Sequence, residues 1–191
     1  MCTTFFKISS ERNQKNVKFV LAFNRDEDPK RDTRQLNYHP QHLNVLCGLD
    51  YKTGTSWIAI NIKTGDLAFL TNYRCDGDAI KTVKFSSRGR LVLDYAMAND
   101  DAIPIKNYSS TDDFVKRAFD GKKKYRGFNL VFGNVMTGNF RYIQNQNADP
   151  RGPCVLNMDQ AVDISKDVCH GMSNGDFNKW QKVHTGRQQM R

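Results

Sequence analysis

Two tight hairpin signals constrain the fold of this chain more than any other feature. The turn segments Lys63-Thr64-Gly65-Asp66 and Met136-Thr137-Gly138-Asn139 each separate two apolar runs. The four runs are residues 57–62, 67–73, 128–135 and 140–144. Strands that are joined by such short turns must be antiparallel. The sequence therefore excludes a parallel doubly wound sheet and favours layered antiparallel sheets.

Two helices are predicted between the hairpins, because apolar residues recur there with helical spacing. Their apolar positions are Leu91, Val92, Tyr95, Ala96, Phe114, Val115, Ala118 and Phe119. The pairs Ser86-Ser87 and Ser109-Ser110 stand in front of these helices as candidate capping residues. The predicted order is thus strand, strand, long loop, hairpin, two helices, hairpin, further strands and a last helix.

Two further segments complete this prediction. Residues 28–56 are rich in Asp, Arg, Asn, Pro and Gly, which indicates a long irregular segment over the site. Asp176 is predicted to cap the last helix, with Phe177, Trp180 and Val183 inside it.

Cys2, directly after the initiator methionine, is the first candidate for chemistry. Methionine is normally removed before a small residue, and removal would leave a cysteine with both a thiol and a free α-amine. The amine titrates at about 7.7–8.0 and the thiol near about 8.5, so each is close to its reactive form at neutral pH. A terminal amine can serve as the base for its own side chain. The alternative is a small apolar residue at the start of a buried strand.

The second candidate is the polar run Asn24-Arg25-Asp26-Glu27, which ends the apolar strand at 17–23. Such a run could be a solvated strand end, with Asp28-Pro29 as an ordinary turn. If the first two strands pair, however, Arg25 and Asp26 would lie beside Cys2. Arg25 would then lower the pKa of the thiol, and Asp26 could orient the terminal amine.

With Met-Cys at its start and the Asn-Arg-Asp-Glu run after the second strand, the chain resembles the NRDE family, also called the transport and Golgi organization protein 2 family. Further segments agree in order. They are Gly48-Leu49-Asp50, Gly54-Thr55-Ser56-Trp57-Ile58-Ala59-Ile60, Leu70-Thr71-Asn72-Tyr73, Ser87-Arg88-Gly89-Arg90-Leu91-Val92, Gly127-Phe128-Asn129-Leu130 and Gly171-Met172-Ser173-Asn174. Each segment is weak alone, but the ordered set is specific and extends from residue 1 to about residue 182.

The resemblance implies an α+β fold similar to the N-terminal-nucleophile hydrolases. This is a four-layer αββα sandwich with two antiparallel sheets between helices. One domain is expected over residues 1–191, with residues 184–191 as a polar, basic tail. Because the family usually continues beyond this point, the sandwich is expected to be incomplete at its C-terminal side.

The resemblance to cysteine N-terminal-nucleophile amidases also implies roles for particular residues. Acyl transfer at Cys2 needs donors for the oxyanion, and Asn72 and Asn174 are the implied donors. Arg25 and Asp26 correspond to the charged pair that such amidases keep near the nucleophile. Each asparagine could instead be a turn residue, above all Asn174 beside a glycine.

Four other residues are candidates for ligand binding. Asn24 and Glu27 either contribute to a binding site or shape the turn through backbone hydrogen bonds. Arg88 and Arg90 flank Gly89 at a helix start, where an anionic group could approach the backbone. The alternative for this last group is a solvated first helical turn.

Composition limits the classes of partner. The net charge of +9 favours an anionic partner such as an anionic lipid or a phosphate- or carboxylate-bearing small molecule. Nucleic acid is not expected, because the basic residues are scattered and no nucleic-acid-binding motif is present. Neither a transmembrane run nor a secretory leader is visible, so we expect a cytoplasmic protein in which peripheral membrane contact is allowed.

The cysteines and histidines argue against two further kinds of site. Five cysteines, none in a C-x-x-C pair, indicate reduced thiols rather than a disulfide framework. The four histidines are too dispersed to predict a metal site, although haem ligation by a histidine or a cysteine is chemically possible.

Three functions from different classes follow from the resemblance. The first is a non-enzymatic carrier or chaperone that mobilises haem, acyl-lipid or acyl-CoA between organelles such as mitochondria and the Golgi apparatus. It requires no cofactor. The second is an amidohydrolase that cleaves linear amide bonds through Cys2. The third is a factor in Golgi or secretory trafficking that acts through protein contacts.

Overall fold

The computed structural model describes residues 1–11, 18–73, 85–98, 111–118, 125–145 and 161–189. Ten strands and three helices are found in these ranges. The strands are β1 (Cys2–Ile8), β2 (Phe19–Arg25), β3 (Thr33–His39), β4 (His42–Asp50), β5 (Ile58–Asn61), β6 (Asp66–Asn72), β7 (Phe128–Asn134), β8 (Asn139–Asn145), β9 (Val162–Asp163) and β10 (Cys169–Met172). The helices are α1 (Gly89–Met97), α2 (Thr111–Ala118) and α3 (Gln181–Gln189).

The strands form two antiparallel sheets. The small sheet has the order β10-β1-β2, and the large sheet runs from β3 to β9 in sequence order. In the small sheet Cys2 is paired with Arg25, and Phe6 lies between Leu21 and His170. Both predicted hairpins are confirmed as β5–β6 and β7–β8, and Gly65 and Gly138 take positive φ angles of 80° and 70° in their turns.

One apolar core lies between the two sheets. Phe6 of the small sheet is fully buried, and its ring meets Phe69 of the large sheet edge to face at 5.2 Å between centroids. Val131, Phe140 and Met172 belong to the same buried cluster. Burial alternates along β1, so Cys2 lies on the same inward face as Phe6.

A second core lies on the other face of the large sheet, where α1 packs against β5 and β6. Leu91 of α1 and Phe114 of α2 are buried there.

On the outer face of the small sheet, α3 packs against β10 and β1, and its close approach requires a glycine. A Cβ atom at Gly186 would lie 2.2 Å from the ring of Phe5.

These contacts confirm an α+β fold with two antiparallel sheets. Its identity with the N-terminal-nucleophile-hydrolase fold stays a prediction. No helix in the described ranges is long and apolar enough to cross a membrane.

The prediction of an irregular segment at residues 28–56 is wrong. Most of it forms the antiparallel pair β3–β4. Val45, Cys47 and Leu49 are buried at alternate positions of β4, so a strand of period two lies among the polar residues. Arg34 and Asn37 belong to the mostly exposed β3, so polar residues in this segment do not imply an irregular backbone.

The helix ends also differ from the prediction. Asp176 does not cap α3, which begins only at Gln181, so Phe177 and Trp180 precede the helix. Asn178, between these two residues, has a left-handed backbone conformation with φ of 61°, which is incompatible with a continuous helix. Residues 184–189 of the expected tail belong to α3, because Val183 is buried and Gly186 packs on Phe5.

The N-cap of α1 is Arg88, without a side-chain capping bond, rather than a serine. Ser109-Ser110, Phe119, Cys75 and Cys154 lie outside the described residues.

Candidate functional site

Cys2 lies at the first position of β1, directly opposite Arg25 of β2. Residues opposite each other in an antiparallel pair point to the same face of the sheet. The Cys2 side chain is only 4% exposed, on the face that packs against the large sheet. The structure thus brings the predicted nucleophile and the predicted arginine together.

The turn after β10 binds both backbone groups of Cys2. Cys2 N donates to Oδ1 of Asn174 at 3.0 Å, and Ser173 Oγ donates to the Cys2 carbonyl at 2.7 Å. Nδ2 of Asn174 donates to the Asn72 carbonyl at 2.8 Å. Both asparagines predicted at the site therefore lie there, and Asn174 joins the start of β1 to the end of β6.

Asn129 of β7 binds the same turn through its side-chain amide. Its Nδ2 donates to the carbonyls of Ser173 at 3.0 Å and Gly175 at 2.9 Å, and lies 3.2 Å from Thr71 Oγ1. Its Oδ1 accepts the Tyr142 hydroxyl at 2.7 Å. Burial raises the pKa of Tyr142 far above its ordinary value, so the phenol stays protonated and can donate. A buried polar network therefore fixes the segment that presents Asn174 to Cys2.

The thiol of Cys2 is held in its neutral form. Burial raises the pKa of the thiol, and this effect outweighs the lowering by the N-terminal amine and by Arg25. Arg25 lowers the pKa of the thiol as predicted, but burial has the larger effect and leaves the pKa above its ordinary value. The unprocessed chain, with Met1 in place, thus carries a shielded rather than an activated thiol.

Arg25 belongs to a charge cluster around the buried Asp50. Nη2 of Arg25 lies 2.9 Å from Oδ2 of Asp50 and 2.9 Å from Glu27. Nε of Arg31 donates to the same Asp50 oxygen at 2.7 Å. The guanidinium of Arg25 also lies 4.8 Å from the ring centroid of Trp57. Arg25 is therefore fixed by two carboxylates and an aromatic ring.

Two buried polar atoms near Cys2 have no hydrogen-bond partner among the described residues. They are Nε of Arg25 and Oδ1 of Asn72. Buried polar atoms are rarely left unsatisfied, and exceptions often mark functional positions or sites of water and ligands. The two atoms flank Cys2, since Arg25 is its strand partner and Asn72 is bonded to Asn174.

Asp26 and Asn24 lie at the exposed edge of this site. The Asp26 carbonyl accepts from the Met1 amine at 2.9 Å, and the Asp26 carboxylate lies 3.9 Å from that amine. Nδ2 of Asn24 donates to the Asp26 carboxylate at 2.7 Å. Asp26 therefore orients the amine of Met1, whereas the group that holds the nitrogen of Cys2 is Asn174.

Arg88 and Arg90 lie at the start of α1. Arg88 donates to the Gly127 carbonyl at 2.8 Å, and Arg90 pairs with Asp94 at 2.5 Å. Gly89 does not open the backbone to a ligand, because a Cβ atom there would lie 2.6 Å from the Ser56 carbonyl. The structure thus explains Gly89 by close packing of α1 against the 55–56 segment.

A cleft of about 470 Å³ opens between β2 and the edge of the large sheet. We call it the edge cleft. It is lined by Leu21, Phe23, Arg25, Glu27, Thr33, Arg34, Leu36, Gly48, Leu49, Trp57 and Ile58. Arg34 forms no hydrogen bond or ion pair among the described residues, in contrast to Arg25. The cleft thus combines apolar walls with Arg34, a cation that has no counterion among the described residues and lies beside the Cys2 site.

Sequence reasoning missed several residues of this site, namely Asp50, Arg31, Arg34, Trp57, Thr71, Asn129, Tyr142 and Ser173. A usable signal existed for Asn129, because an amide inside the apolar run of β7 must find buried partners. No local signal marks Arg34, whose place depends on the pairing of β3 with β4.

Comparison with known proteins supports one family. The family model described as Transport and Golgi organisation 2 matches residues 1–191. A transport and Golgi organization 2 homolog of Mus musculus is 28% identical, and the match covers 98% of this chain and 62% of the relative. The homolog of Bos taurus is 29% identical with the same coverage, and the Drosophila melanogaster protein is 27% identical over 99% of this chain. The chain spans about 62% of the length of the first of these relatives.

Proposed function

The chain belongs to the transport and Golgi organisation 2 family, and from this premise we propose that it is a carrier for an anionic amphipathic small molecule. The names of its relatives refer to transport and Golgi organization. Haem and acyl-CoA are the two ligand classes that we propose, since both join an apolar body to acidic groups. Action in the cytoplasm, in contact with mitochondria or the Golgi apparatus, is part of the proposal.

The observation that carries this proposal is the edge cleft. Its volume of about 470 Å³ is in the range of small-molecule sites, about 300–1,000 Å³. Leu21, Phe23, Leu49 and Ile58 supply an apolar wall, and Trp57 adds an aromatic surface. Such a wall suits a porphyrin face or an acyl chain.

Arg34 is the residue best placed to bind the acidic group. A cationic side chain without a counterion can form a charge-assisted, bidentate contact with a carboxylate or phosphate. Arg25 contributes less, because Asp50 and Glu27 already occupy its Nη2 atom. We therefore assign the anion contact to Arg34 instead of Arg88 or Arg90, neither of which lines the edge cleft.

Charge reversal at Arg34 tests the carrier. We expect Arg34→Glu to weaken the binding of haem or of a long-chain acyl-CoA by about tenfold or more, because it replaces a charge-assisted contact by repulsion. Arg90→Glu is the matched control, since Arg90 pairs with Asp94 outside the cleft. Titrations of both ligands, followed by absorbance for haem and calorimetry for acyl-CoA, measure the effect.

A folded wild-type protein that binds neither ligand with saturation would contradict the carrier function. Equal weakening by Arg34→Glu and Arg90→Glu would contradict the edge cleft as the binding site. Cys2→Ala should leave the affinity within about twofold, because carriage needs no nucleophile.

The second candidate function is an amidohydrolase that uses Cys2. It is favoured by one observation, the hydrogen bond of 3.0 Å from Cys2 N to Asn174 Oδ1. Removal of Met1 would turn this nitrogen into the α-amine and leave it beside an acceptor that orients it. The amine could then take the thiol proton while the sulfur attacks the substrate carbonyl.

Processing at Met1 tests this second candidate. With Met1 in place, we expect Cys2 to react with a maleimide about tenfold more slowly than a solvated thiol, because burial shields it and raises its pKa. After removal of Met1, Cys2 should react with the maleimide faster than Cys47, which is buried as well. Intact mass and peptide mapping report both the processing and the labelled residue.

Cys47→Ser serves as the control, because it removes a second buried thiol and leaves Cys2 unchanged. Retention of Met1 in the purified protein would contradict the hydrolase. So would a processed Cys2 that labels no faster than Cys47. The third candidate, a trafficking factor that acts through protein contacts, is based on the names of the relatives alone.

A further inference from the structure

A second cleft, of about 420 Å³, lies on the opposite face of the small sheet, under α3. We call it the helix cleft. It is lined by Lys7, Asp167, Val168, Cys169, His184, Arg187 and Gln188. Lys7 alternates with the buried Phe6 and Ile8 along β1, so it points away from the core and toward α3. The helix cleft and the edge cleft are thus separated by the small sheet.

Among the described residues that line the helix cleft, basic side chains outnumber acidic ones. The side chains of Lys7 and His184 form no hydrogen bond or ion pair among the described residues. Arg187 donates through Nε to the Cys169 carbonyl at 2.7 Å, which fixes its guanidinium at the wall of the cleft. Its two Nη groups have no partner among the residues that the structure describes.

Asp167 supplies the one carboxylate among the described residues that line the helix cleft, and this carboxylate already accepts a hydrogen bond. Asp167 accepts from the Ser10 backbone N–H at 3.0 Å, and its own N–H donates to the Ile8 carbonyl at 2.6 Å. These two bonds tie Asp167 to the end of β1. No ion pair joins this carboxylate to Lys7 or Arg187, although Lys7 is near enough for its charge to help lower the pKa of Asp167, after the larger effect of the Ser10 hydrogen bonds.

We propose that the helix cleft binds the phosphate group of a small molecule. The Lys7 ammonium and the Arg187 guanidinium, which form no ion pair among the described residues, match the charge of a phosphate, and the guanidinium can bind two of its oxygens at once. The Gln188 amide adds a neutral donor at the same wall. The volume leaves room for a diphosphate or for a phosphate with an attached polar group.

Titration with inorganic pyrophosphate tests this site. We expect saturable binding to the full chain in a calorimeter, with a Kd that rises at least about tenfold in Lys7→Gln, the loss of one charge-assisted contact. Lys7→Arg should keep most of the affinity. Lys182→Gln is the matched control, because Lys182 is on the same helix but packs over Trp180 instead of lining the cleft. It should change the Kd by less than about twofold.

A second experiment distinguishes a phosphate on a soluble molecule from a phosphate in a lipid headgroup. Sedimentation with phosphatidylcholine vesicles, with and without phosphatidic acid, detects a lipid headgroup. Binding of pyrophosphate alone supports a soluble ligand, and binding that needs phosphatidic acid and Lys7 supports a lipid. The proposal is overturned if neither probe binds, or if Lys7→Gln and Lys182→Gln weaken binding equally. Because Lys7 lies outside the edge cleft, Lys7→Gln should leave haem and acyl-CoA binding unchanged.

Discussion

Asn129→Ala is expected to destabilise the protein by about 3–5 kcal/mol. The substitution leaves the carbonyls of Ser173 and Gly175 and the hydroxyl of Tyr142 without their buried partner. Each unsatisfied buried group costs about 1–3 kcal/mol. Urea denaturation, followed by circular dichroism, would show the change as a lower midpoint at an unchanged slope.

Two further variants grade this effect. Tyr142→Phe removes a single bond to Asn129, so we expect a cost of about 1–2 kcal/mol. Asn139→Ala removes the same side chain at an exposed position and should cost less than about 0.5 kcal/mol. An Asn129→Ala protein that is as stable as the Asn139→Ala protein would refute the role of Asn129 in fixing the Asn174 turn.

The fold was predictable where short-range patterns decide it. Gly65 and Gly138 sit at turn positions with positive φ, so both hairpins could be recognised from the chain. Leu91 and Phe114 lie on helix faces of the expected period. The β3–β4 pair was missed because its polar, exposed edge strand hides the alternation of β4. Edge strands carry little of the burial signal on which such a prediction depends.

Four residues of the site could be named from the sequence, but most of the residues that hold them in place could not. Cys2, Arg25, Asn72 and Asn174 do meet, as the pairing of the first strands and the family resemblance implied. What residue types alone could not supply was the balance of energies at Cys2. Burial raises the pKa of the thiol and the charge of Arg25 lowers it, and only the depth of burial in the folded protein decides which effect prevails.

The burial of Asp50 also could not be predicted from the sequence. A lone aspartate at a strand end is usually solvated, yet this one is 1% exposed and binds two arginines. The second of these arginines, Arg31, is reached only because the chain turns back after Asp28. The cluster that fixes Arg25 beside Cys2 thus depends on long-range packing.

Asp50→Asn is expected to lower stability at neutral pH by about 3 kcal/mol, because it leaves the charges of Arg25 and Arg31 without their shared buried partner. Part of the usual cost is relieved by Glu27 and by solvent at the two arginines. Asp94→Asn, at the exposed pair with Arg90, is the control and should cost less than about 1 kcal/mol. Near-equal losses in the two variants would contradict a central role for Asp50.

The pH dependence of this loss has a defined sign. Burial alone would raise the pKa of Asp50, but the hydrogen bonds and charges of Arg31 and Arg25 prevail and hold the pKa below its ordinary value. The stabilisation from the Asp50 charge is therefore fully present above about pH 4, the pKa of an aspartate in the unfolded chain, and is lost as pH falls through the folded pKa.

Burial also lowers the pKa of His170, so wild type and Asp50→Asn both lose stability below about pH 6.5, and this loss cancels in the difference between them. The difference between wild type and Asp50→Asn should hence stay constant from pH 7 to about pH 5 and shrink below about pH 4. Urea midpoints across this range measure it, and a difference that grows on acidification would show that Asp50 is not held as a carboxylate by its arginines.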